Sequence, residues 1–334
     1  MSGLKKNDAP VCGSNLQMGS LLTRKVTLGQ VLALAACVLT VATLSGFGSR
    51  WHWFLDLFSH FRVQYCLGFL TLAVGFLLLK ARREGLLCFV GAGLNALVIL
   101  PLFFGKIEVG ETTVQPWRVV TLNLETANQS HVEVRKFIGG SRADFVVLLE
   151  LDEVWLEALQ GVLASYPHSQ VEAREDNFGI GIWSKLPLTR SATHYISSAE
   201  VPTLTASLDL GGTEVSIIAT HPVPPGGGEM SRLRNEQLAA LPALLRQTAG
   251  AKLLLGDLNV TPWSWHFQRL LEETALEDSA RGYGVQVTWP TGLPFFYIPL
   301  DHCLHSKEVF ILHRQTGPRV GSDHLPLIVD FGVL

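Results

Sequence analysis

The chain is 334 residues long, with 48% hydrophobic residues, only 16% charged residues and a formal net charge of −3. Its mean hydropathy of +0.28 is too high for a purely soluble protein. This composition excludes a disordered chain, and five scattered cysteines exclude a small disulfide scaffold. Part of the chain is therefore predicted to lie in lipid, and the rest is long enough to bury a large core.

The apolar residues concentrate in the first third of the chain. Three runs there, 26–49, 63–79 and 85–105, contain no charged residue over 24, 17 and 21 residues. A membrane-spanning helix needs about 20 apolar residues, so the runs predict three transmembrane helices at about 26–48, 62–79 and 85–105. The alternatives are buried helices of a soluble domain or, for the first run, a cleaved signal peptide.

The basic residues near these runs predict the orientation in the membrane. Seven lie in the N-terminal tail and in the turn between the second and third runs, whereas the opposite side has three. The positive-inside rule then predicts a multi-pass protein of the cell inner membrane, with a cytoplasmic N-terminus and a periplasmic or extracellular polar domain. Between the first two runs, Trp51, Phe54, Leu55 and Phe58 predict an amphipathic segment on the outer membrane surface.

The predicted layout is a cytoplasmic tail (1–25), a three-helix anchor (26–105), a linker (106–114) and a polar domain (115–334). The polar domain opens with strands at 117–124 and 144–149 and helices at 130–138 and 153–163. The middle is rich in strands: 178–184, 191–196, 203–210 and 215–220. A helix at 231–247, a strand at 252–255, a short helix capped by Thr261 and strands at 300–305, 309–312 and 325–331 complete the prediction. Consecutive hairpins favour antiparallel pairing over a simple doubly wound parallel sheet.

Acidic, amide and imidazole side chains follow the predicted strands of the polar domain, at the points where these strands end or between them. They are Asn123, Glu150, His221, Asp257, Asn259, Asp301, Asp323 and His324. Strand ends at one rim of a sheet can converge on a single cleft, where carboxylate and amide oxygens suit Mg²⁺ or Mn²⁺. Zinc fits less well, since the sequence has no Cys pair or His-x-x-x-His spacing. A divalent ion can activate water and an imidazole can move a proton, which suits a hydrolytic reaction.

Seven segments of the polar domain resemble the endonuclease/exonuclease/phosphatase superfamily, which includes deoxyribonuclease I, inositol polyphosphate phosphatases and bacterial sphingomyelinases. The segments are Asn-Leu-Glu at 123, Glu150, Gly-Ile-Gly-Ile-Trp-Ser-Lys at 179, Thr-His-Pro at 220, Gly-Asp-Leu-Asn at 256, Leu-Asp-His at 300 and Ser-Asp-His-Leu-Pro at 322. Asp-Leu-Asn-Val-Thr-Pro-Trp-Ser at 257 and Thr-Trp-Pro at 288 resemble the bacterial membrane-anchored branch. The resemblance implies an α/β (α+β) fold, a deoxyribonuclease-I-like four-layer, two-sheet sandwich with the active site at the sheet edges.

The resemblance also implies roles for individual residues. Glu150 matches the principal metal carboxylate of the family, Asn123 lies beside it as a ligand or supporting amide, and Asp323 is the remaining metal or structural carboxylate. The catalytic positions are those that orient the attacking water, contact the scissile phosphate or move protons. Asp257 and Asn259 match the water-orienting pair, His324 the histidine at the phosphoryl centre, Asp301 the carboxylate that holds it, and His221 a candidate general acid.

The sequence thus predicts a membrane-anchored, divalent-metal-dependent phosphoesterase that attacks a phosphodiester or phosphomonoester with metal-activated water. Residues 115–334 hold 16 Lys and Arg against 24 Asp and Glu, a formal charge of −8, which argues against a general nuclease. The predicted partner is a phosphoester substrate (lipid-linked, nucleotide or nucleic acid), and the anchor and this charge favour a lipid-linked or small phosphoester over DNA. The alternatives are an exported endonuclease or exonuclease and a non-catalytic binding module. No protein partner can be inferred.

Overall fold

The computed structural model describes residues 26–105 and 115–333, so the predicted tail (1–25) and linker (106–114) lie outside the described residues. Residues 26–105 form a helical region that precedes a domain of strands and helices. The helical region consists of α1 (Leu28–Phe47), α2 (Trp53–Leu57), α3 (Arg62–Leu78), α4 (Arg82–Ile99) and a 3-10 helix (Leu100–Phe103).

Two helices of this region are long and apolar enough to cross a membrane, Leu28–Phe47 and Arg82–Phe103. The apolar helix between them, Arg62–Leu78, has 17 residues and is shorter than the others. The predicted count of three transmembrane helices was therefore wrong. The helix is short because Arg62 begins it, and this side chain is buried, where it donates to the carbonyl oxygen of Thr43 over 2.9 Å.

The three apolar helices pack against one another. Phe69 and Phe76 of α3 are buried in a cluster with Cys88 and Ala92 of α4, and Leu32 of α1 packs against the same cluster. At the end of the bundle nearer α2, Asn95 of α4 donates to the hydroxyl of Thr43 over 3.0 Å. The exposed surface of α1 and α4 stays apolar, with Leu34, Val38, Val41, Leu86, Leu87, Val90 and Leu97 among its exposed side chains.

The second part of the chain contains two six-stranded mixed sheets. The first sheet has the order β11-β12-β1-β2-β4-β3 and the second the order β5-β6-β7-β8-β10-β9. The strands are β1 (Trp117–Asn123), β2 (Phe145–Leu149), β3 (His168–Glu172), β4 (Ile180–Ser184), β5 (Leu188–His194), β6 (Thr203–Leu210), β7 (Thr213–Thr220), β8 (Ala251–Asp257), β9 (Glu277–Asp278), β10 (Asp301–His305), β11 (Val309–Thr316) and β12 (Leu327–Val333). The helices are α5 (His131–Ser141), α6 (Glu153–Leu163), α7 (Gly228–Gln247) and α8 (Trp265–Thr274).

Each sheet has one face on the other sheet and one face on a pair of helices. Residues such as Val147 of β2 and Leu255 of β8 meet in the core between the sheets. Leu148 of β2 packs in a cluster with Trp155 of α6, and Leu254 of β8 packs in a cluster with Phe267 of α8. Because β2 and β4 are covered on both faces, all of their residues are buried. Their sequences are therefore largely apolar without alternation. The order of layers is helix, sheet, sheet, helix, in agreement with the predicted sandwich.

Some local predictions were wrong. Strand β3 had not been predicted, because its sequence, His-Ser-Gln-Val-Glu, is polar and pairs only at the edge of the first sheet. The cap of α8 is Ser264, whose hydroxyl accepts from the amide of His266, and not Thr261. The hydroxyl of Thr261 instead lies 3.0 Å from Nδ1 of His60 in the helical region.

The helical region is in direct contact with the sandwich. Asp56 of α2 accepts a hydrogen bond from Arg234 of α7 over 2.5 Å and another from the hydroxyl of Ser264 over 2.7 Å. The carbonyl oxygen of Leu102 accepts from the amides of Gly282 and Gly284 over 2.9 and 2.8 Å. The segment predicted to lie flat on the membrane surface, around α2, therefore also packs against the sandwich.

Candidate active site

Two pairs of parallel strands carry polar side chains to one edge of the sandwich. Strand β1 pairs in parallel with β2, so Asn123 and Glu150 lie at the same end of the first sheet. Strand β7 pairs in parallel with β8, which places His221 near Asp257 at the matching end of the second sheet. Strand β10 runs antiparallel to β8, and its first residue, Asp301, is the register partner of Asp257. The site is therefore assembled from both sheets.

Asp257 lies at the centre of this group. Its Oδ2 atom is 3.5 Å from Nε2 of His324, 3.6 Å from Nε2 of His221 and 3.4 Å from the amide nitrogen of Asn123. Burial opposes ionisation of Asp257, but the two imidazoles outweigh it and hold its pKa below the usual value. The central carboxylate is therefore ionised at neutral pH.

His324 and Asp301 form a buried pair. Nδ1 of His324 lies 2.7 Å from Oδ2 of Asp301, and both side chains are almost fully shielded from solvent. Burial disfavours the imidazolium, yet Asp301 and Asp257 together raise the pKa of His324 above its ordinary value. A carboxylate on Nδ1 fixes the ring orientation, so that Nε2 points toward the cleft side occupied by Asp257.

His221 is held less tightly. Its ring lies 5.5 Å from that of Phe178, and its Nδ1 atom is buried without a hydrogen-bond partner among the described residues. Burial again disfavours the charged ring, but Asp257 and Glu150 raise the pKa of His221 overall. The two histidines thus approach the same oxygen atom of one carboxylate.

The segment after β8 has a tight backbone. A Cβ atom on Gly256 would collide with the carbonyl oxygen of Thr220, so β7 and β8 can approach at this point only with glycine. Asn259 adopts a left-handed conformation with φ of +51°. Its backbone amide donates to Oδ1 of Asp257 over 2.9 Å, and its side-chain amide donates to the carbonyl oxygen of Pro222. These bonds fix the orientation of both side chains.

Glu150 supplies carboxylate oxygen atoms suited to a hard cation, and Asn123 supports it, since the Oδ1 atom of Asn123 accepts from the backbone amide of Glu125. Asn123 donates to Oε1 of Glu150 over 2.9 Å, and the backbone amide of Thr126 donates to Oε2. Mg²⁺ keeps several waters and needs only one or two protein carboxylates, so Glu150 with the nearby Asp257 fits such an ion. Among the described residues, no group of three or more His, Cys, Asp or Glu side chains is arranged to enclose a metal.

Asp323 lies at the rim of the site rather than at its centre. Its side chain is 44% exposed, its Oδ1 atom is 4.0 Å from Nε2 of His324, and its Oδ2 accepts from the indole of Trp289 over 2.8 Å. Its backbone amide donates to Glu125, which the sequence had not singled out. The structure thus gathers seven of the eight predicted site residues and places Asp323 at the rim.

The site forms the floor of a cavity of about 680 Å³. Besides the predicted residues, the cavity is lined by apolar side chains that the sequence had not assigned to it. These are Leu57 and Phe61 from the helical region, and Phe178, Pro224, Pro225, Met230, Ile298 and Leu300 from the sandwich. The nearby aromatic segment at 51–58 could have indicated the contribution of the helical region to the cavity. From the sequence alone, this segment is interpreted only as a membrane-surface segment.

Solved structures of similar fold cover the sandwich. An endonuclease/exonuclease/phosphatase from Bacteroides vulgatus is 17% identical, with a TM-score of 0.56, over 66% of this chain and 100% of that chain. TDP2 from D. rerio in complex with a single-strand DNA product is 15% identical, with a TM-score of 0.55, over 66% and 100%. The catalytic domain of human Nocturnin with bound sulfate is 18% identical, with a TM-score of 0.54, over 66% and 95%. These likenesses show the fold.

No curated protein matches the chain in sequence. The sequence model of the Endonuclease/Exonuclease/phosphatase family matches residues 120–324, more than half of the chain, and this span contains all eight predicted site residues. Two mixed sheets between helix pairs, with polar side chains at one edge of both, agree with that match. The chain therefore belongs to the endonuclease/exonuclease/phosphatase family, whose members are hydrolases that act on phosphoester bonds.

Proposed function

We propose that this protein is a membrane-anchored, divalent-metal-dependent phosphoesterase. The observation that carries the proposal is the arrangement around Asp257. Two imidazole Nε2 atoms lie within 3.6 Å of its Oδ2 atom at the floor of the cavity, and one of these imidazoles is held by Asp301. A group that accepts a proton from water thus stands beside groups that bond to phosphoryl oxygens and return a proton to a leaving oxygen.

In this proposal, hydrolysis joins the oxygen of a water molecule to phosphorus and breaks the bond between phosphorus and the leaving oxygen. Asp257 orients the water and takes its proton, and Asn259 holds Asp257 through its backbone amide. Nε2 of His324 bonds to a phosphoryl oxygen, since Asp301 fixes the ring from its other side. His221, the second imidazole beside Asp257, donates the proton that the leaving oxygen needs.

Mg²⁺ or Mn²⁺ would be held by Glu150, with Asn123 as its supporting amide and Asp323 at the rim as the remaining carboxylate. Such an ion neutralises phosphate charge and lowers the pKa of bound water. The protein residues perform the remaining tasks. Thr126 fixes the Glu150 carboxylate through its backbone amide over 3.1 Å. Asn123 bonds both to Glu150 and to Asp257, and so sets the separation of the two carboxylates.

We further propose that residues 26–105 anchor the protein in the inner membrane, with α1 and α4 crossing it in the same direction and the shorter α3 returning the chain between them. Support comes from the apolar outer faces of these helices and from the basic residues at one end of the helical bundle. Three exposed basic residues lie in the turn after α3 and in the first turn of α4: Lys80, Arg82 and Arg83. This end of the bundle is opposite Leu102, which contacts the sandwich. The positive-inside rule then places the N-terminus in the cytoplasm and the catalytic domain, 115–334, in the periplasm or outside.

This location and the formal charge of −8 over residues 115–334 favour a lipid-linked or small phosphoester. An exported nuclease is the second candidate, supported by TDP2, a neighbour of similar fold solved with a single-strand DNA product. A non-catalytic binding module is disfavoured, since a binding role alone does not require the His324–Asp301 pair.

The test is hydrolysis of bis-p-nitrophenyl phosphate by the full chain in detergent, with Mg²⁺ or Mn²⁺. The comparison is Asp257→Asn against Asp209→Asn, a matched change in the β6–β7 hairpin, away from the cavity. We expect Asp257→Asn to reduce the rate by about 10² or more, and Asp209→Asn to leave it unchanged. Equal rates for wild type and Asp257→Asn would overturn the proposed site. Cleavage of plasmid or single-stranded DNA in preference to phosphodiesters of lipids would establish the nuclease instead.

A further inference from the structure

The cavity above the proposed site has an apolar wall that the phosphoester chemistry does not need. One part of this wall comes from outside the family domain. Leu57 at the end of α2 and Phe61 just before α3 belong to the helical region, yet both line the cavity that contains Asp257 and His324. Met230 at the start of α7 and Ile298 after the 290–297 loop line the same space.

Contacts hold this wall in place. His60, between Leu57 and Phe61, is buried against the hydroxyl of Thr261. Gln64 in the first turn of α3 donates to the carbonyl oxygen of Tyr297 over 2.8 Å. The ring of Phe61 packs edge-on against Phe296, with 6.2 Å between ring centroids. These contacts join the helical region to two segments of the sandwich, around Thr261 and Tyr297, and so hold Leu57 and Phe61 at the cavity.

The cavity-lining residues of the helical region lie at the ends of the apolar helices. Phe61 directly precedes α3, and α2 follows the end of α1 by a few residues. Two segments close in sequence to these lining residues expose large apolar side chains: Trp51 and Phe54 before and within α2, and Leu293, Phe295 and Phe296 before Ile298. Exposed aromatic residues at the ends of membrane helices are typical of the level of the lipid head groups.

The charge of the residues that line the cavity disfavours a nucleic acid substrate. Among the described residues that line it, none is Lys or Arg, whereas Glu150, Asp176, Asp257 and Asp323 are acidic. A polymer with a phosphate on every residue would need cationic side chains along its path. One phosphoester bound at the floor, followed by a hydrocarbon chain along the apolar wall, satisfies both the polar and the apolar surfaces.

We infer that Leu57 and Phe61, together with Met230 and Ile298, form a subsite for the hydrocarbon part of a lipid phosphoester that enters from the adjacent membrane leaflet. This inference rests on the proposed hydrolytic function and names its substrate class. The helical region is then a specificity element of the enzyme as well as an anchor. Leu57 and Phe61 determine which phosphoester binds and take no part in the bond-breaking step.

The experiment compares two substrates that differ only in chain length, p-nitrophenyl methyl phosphate and p-nitrophenyl hexadecyl phosphate, with the full chain in detergent micelles and Mg²⁺ or Mn²⁺. The quantity measured is the ratio of kcat/KM for the long-chain diester to that for the methyl diester. We expect this ratio to exceed ten in the wild type and to fall about tenfold in Phe61→Asn through a higher KM. Phe61→Leu, which keeps an apolar side chain, should restore most of the ratio.

Phe104→Asn is the matched control, since Phe104 is exposed in the helical region but does not line the cavity. It experiences the same micelles, so partitioning of the long chain affects it and Phe61→Asn equally. A wild-type ratio near one, or an equal fall in Phe61→Asn and Phe104→Asn, would overturn the lipid subsite. The methyl diester separates this failure from failure of the proposed function, because a chain that hydrolyses neither diester would refute the phosphoesterase itself.

Discussion

Asp56 in the helical region and Arg234 in the sandwich form an ion pair of 2.5 Å, with side chains 1% and 0% exposed. Arg234 also donates to the carbonyl oxygen of Asn259, a residue of the proposed site, over 3.0 Å. A single side chain, that of Arg234, thus links Asp56 to the segment that orients Asp257. The pair joins the position of the helices to the geometry of the cleft.

Replacing Asp56 with Ala should leave the guanidinium of Arg234 buried without its partner. Breaking a buried pair in this way costs about 3–5 kcal/mol, and we expect a corresponding loss in urea unfolding of the detergent-solubilised chain, together with slower diester hydrolysis. The exposed pair Arg190–Glu214 provides the comparison, since Glu214→Gln should cost less than about 1 kcal/mol. Similar losses in the free energy of unfolding for the two variants would show that the buried pair contributes no more to stability than the exposed pair.

Asp301→Asn should retain the fold and lose activity. The amide cannot act as the carboxylate that accepts from Nδ1 and stabilises the imidazolium of His324. We expect kcat for bis-p-nitrophenyl phosphate to fall by about 10² to 10⁴. Asp278→Asn is the matched buried control, because Asp278 lies outside the cavity and its bond to the amide of Ala280 survives the change. A similar loss in both variants would indicate a general effect on folding.

Removal of divalent ions should abolish hydrolysis, and Glu150→Gln should weaken the response to metal. After treatment with a chelator, we expect activity to return with Mg²⁺ or Mn²⁺ and the half-saturating metal concentration to rise about tenfold or more in Glu150→Gln. Glu153→Gln, an exposed change three residues later, should behave like the wild type. Full activity in the chelated protein would exclude a metal requirement.

Acidification should loosen the contact between the helices and the sandwich before it unfolds the rest. Burial lowers the pKa of His60 from 6.5 to about 4, although Asp56 opposes the shift, and Arg234, Arg62 and His266 also face this ring. Between these values the folded state binds fewer protons than the unfolded state. The stability contributed by neutral His60 is thus complete above pH 6.5 and falls as the pH drops toward 4.

The measurement is the difference in melting temperature of the full chain between pH 7.5 and pH 5. We expect His60→Asn to reduce this difference, because the variant has no ring to protonate. His266 contributes in the same direction, since burial lowers its pKa to about 4, so part of the difference should remain. His313→Asn, at an exposed position, should leave the difference unchanged. An unaltered difference in His60→Asn would contradict the assignment.

Much of the sandwich could be predicted because its signals are local. β2 and β4 are covered on both faces, so they read as apolar runs, and Asn123 and Glu150 follow directly from where their strands stop. Polar β3 gave no such signal, since edge pairing leaves its side chains partly exposed.

The contribution of the helical region could not be predicted from local patterns. Phe61 and Asp257 lie almost 200 positions apart in the sequence, and no periodicity indicates that they share a cavity. Aromatic residues between two apolar runs are typical of a membrane surface, and the same composition suits a cavity wall. Hydropathy alone also overestimated the number of spanning helices. It does not reveal that Arg62, the first residue of α3, is buried and donates to the carbonyl oxygen of Thr43.

The pairing of β1 with β12 has a consequence for how the enzyme matures. These strands lie at opposite ends of the sandwich in sequence, yet they are neighbours at the middle of the first sheet, with Trp117 opposite Phe331. Strand β1 carries Asn123, so the strand that holds this residue gains its second neighbour only after β12 has docked. A chain that has not yet folded through β12 should therefore remain inert, because its first sheet still lacks a central strand pair.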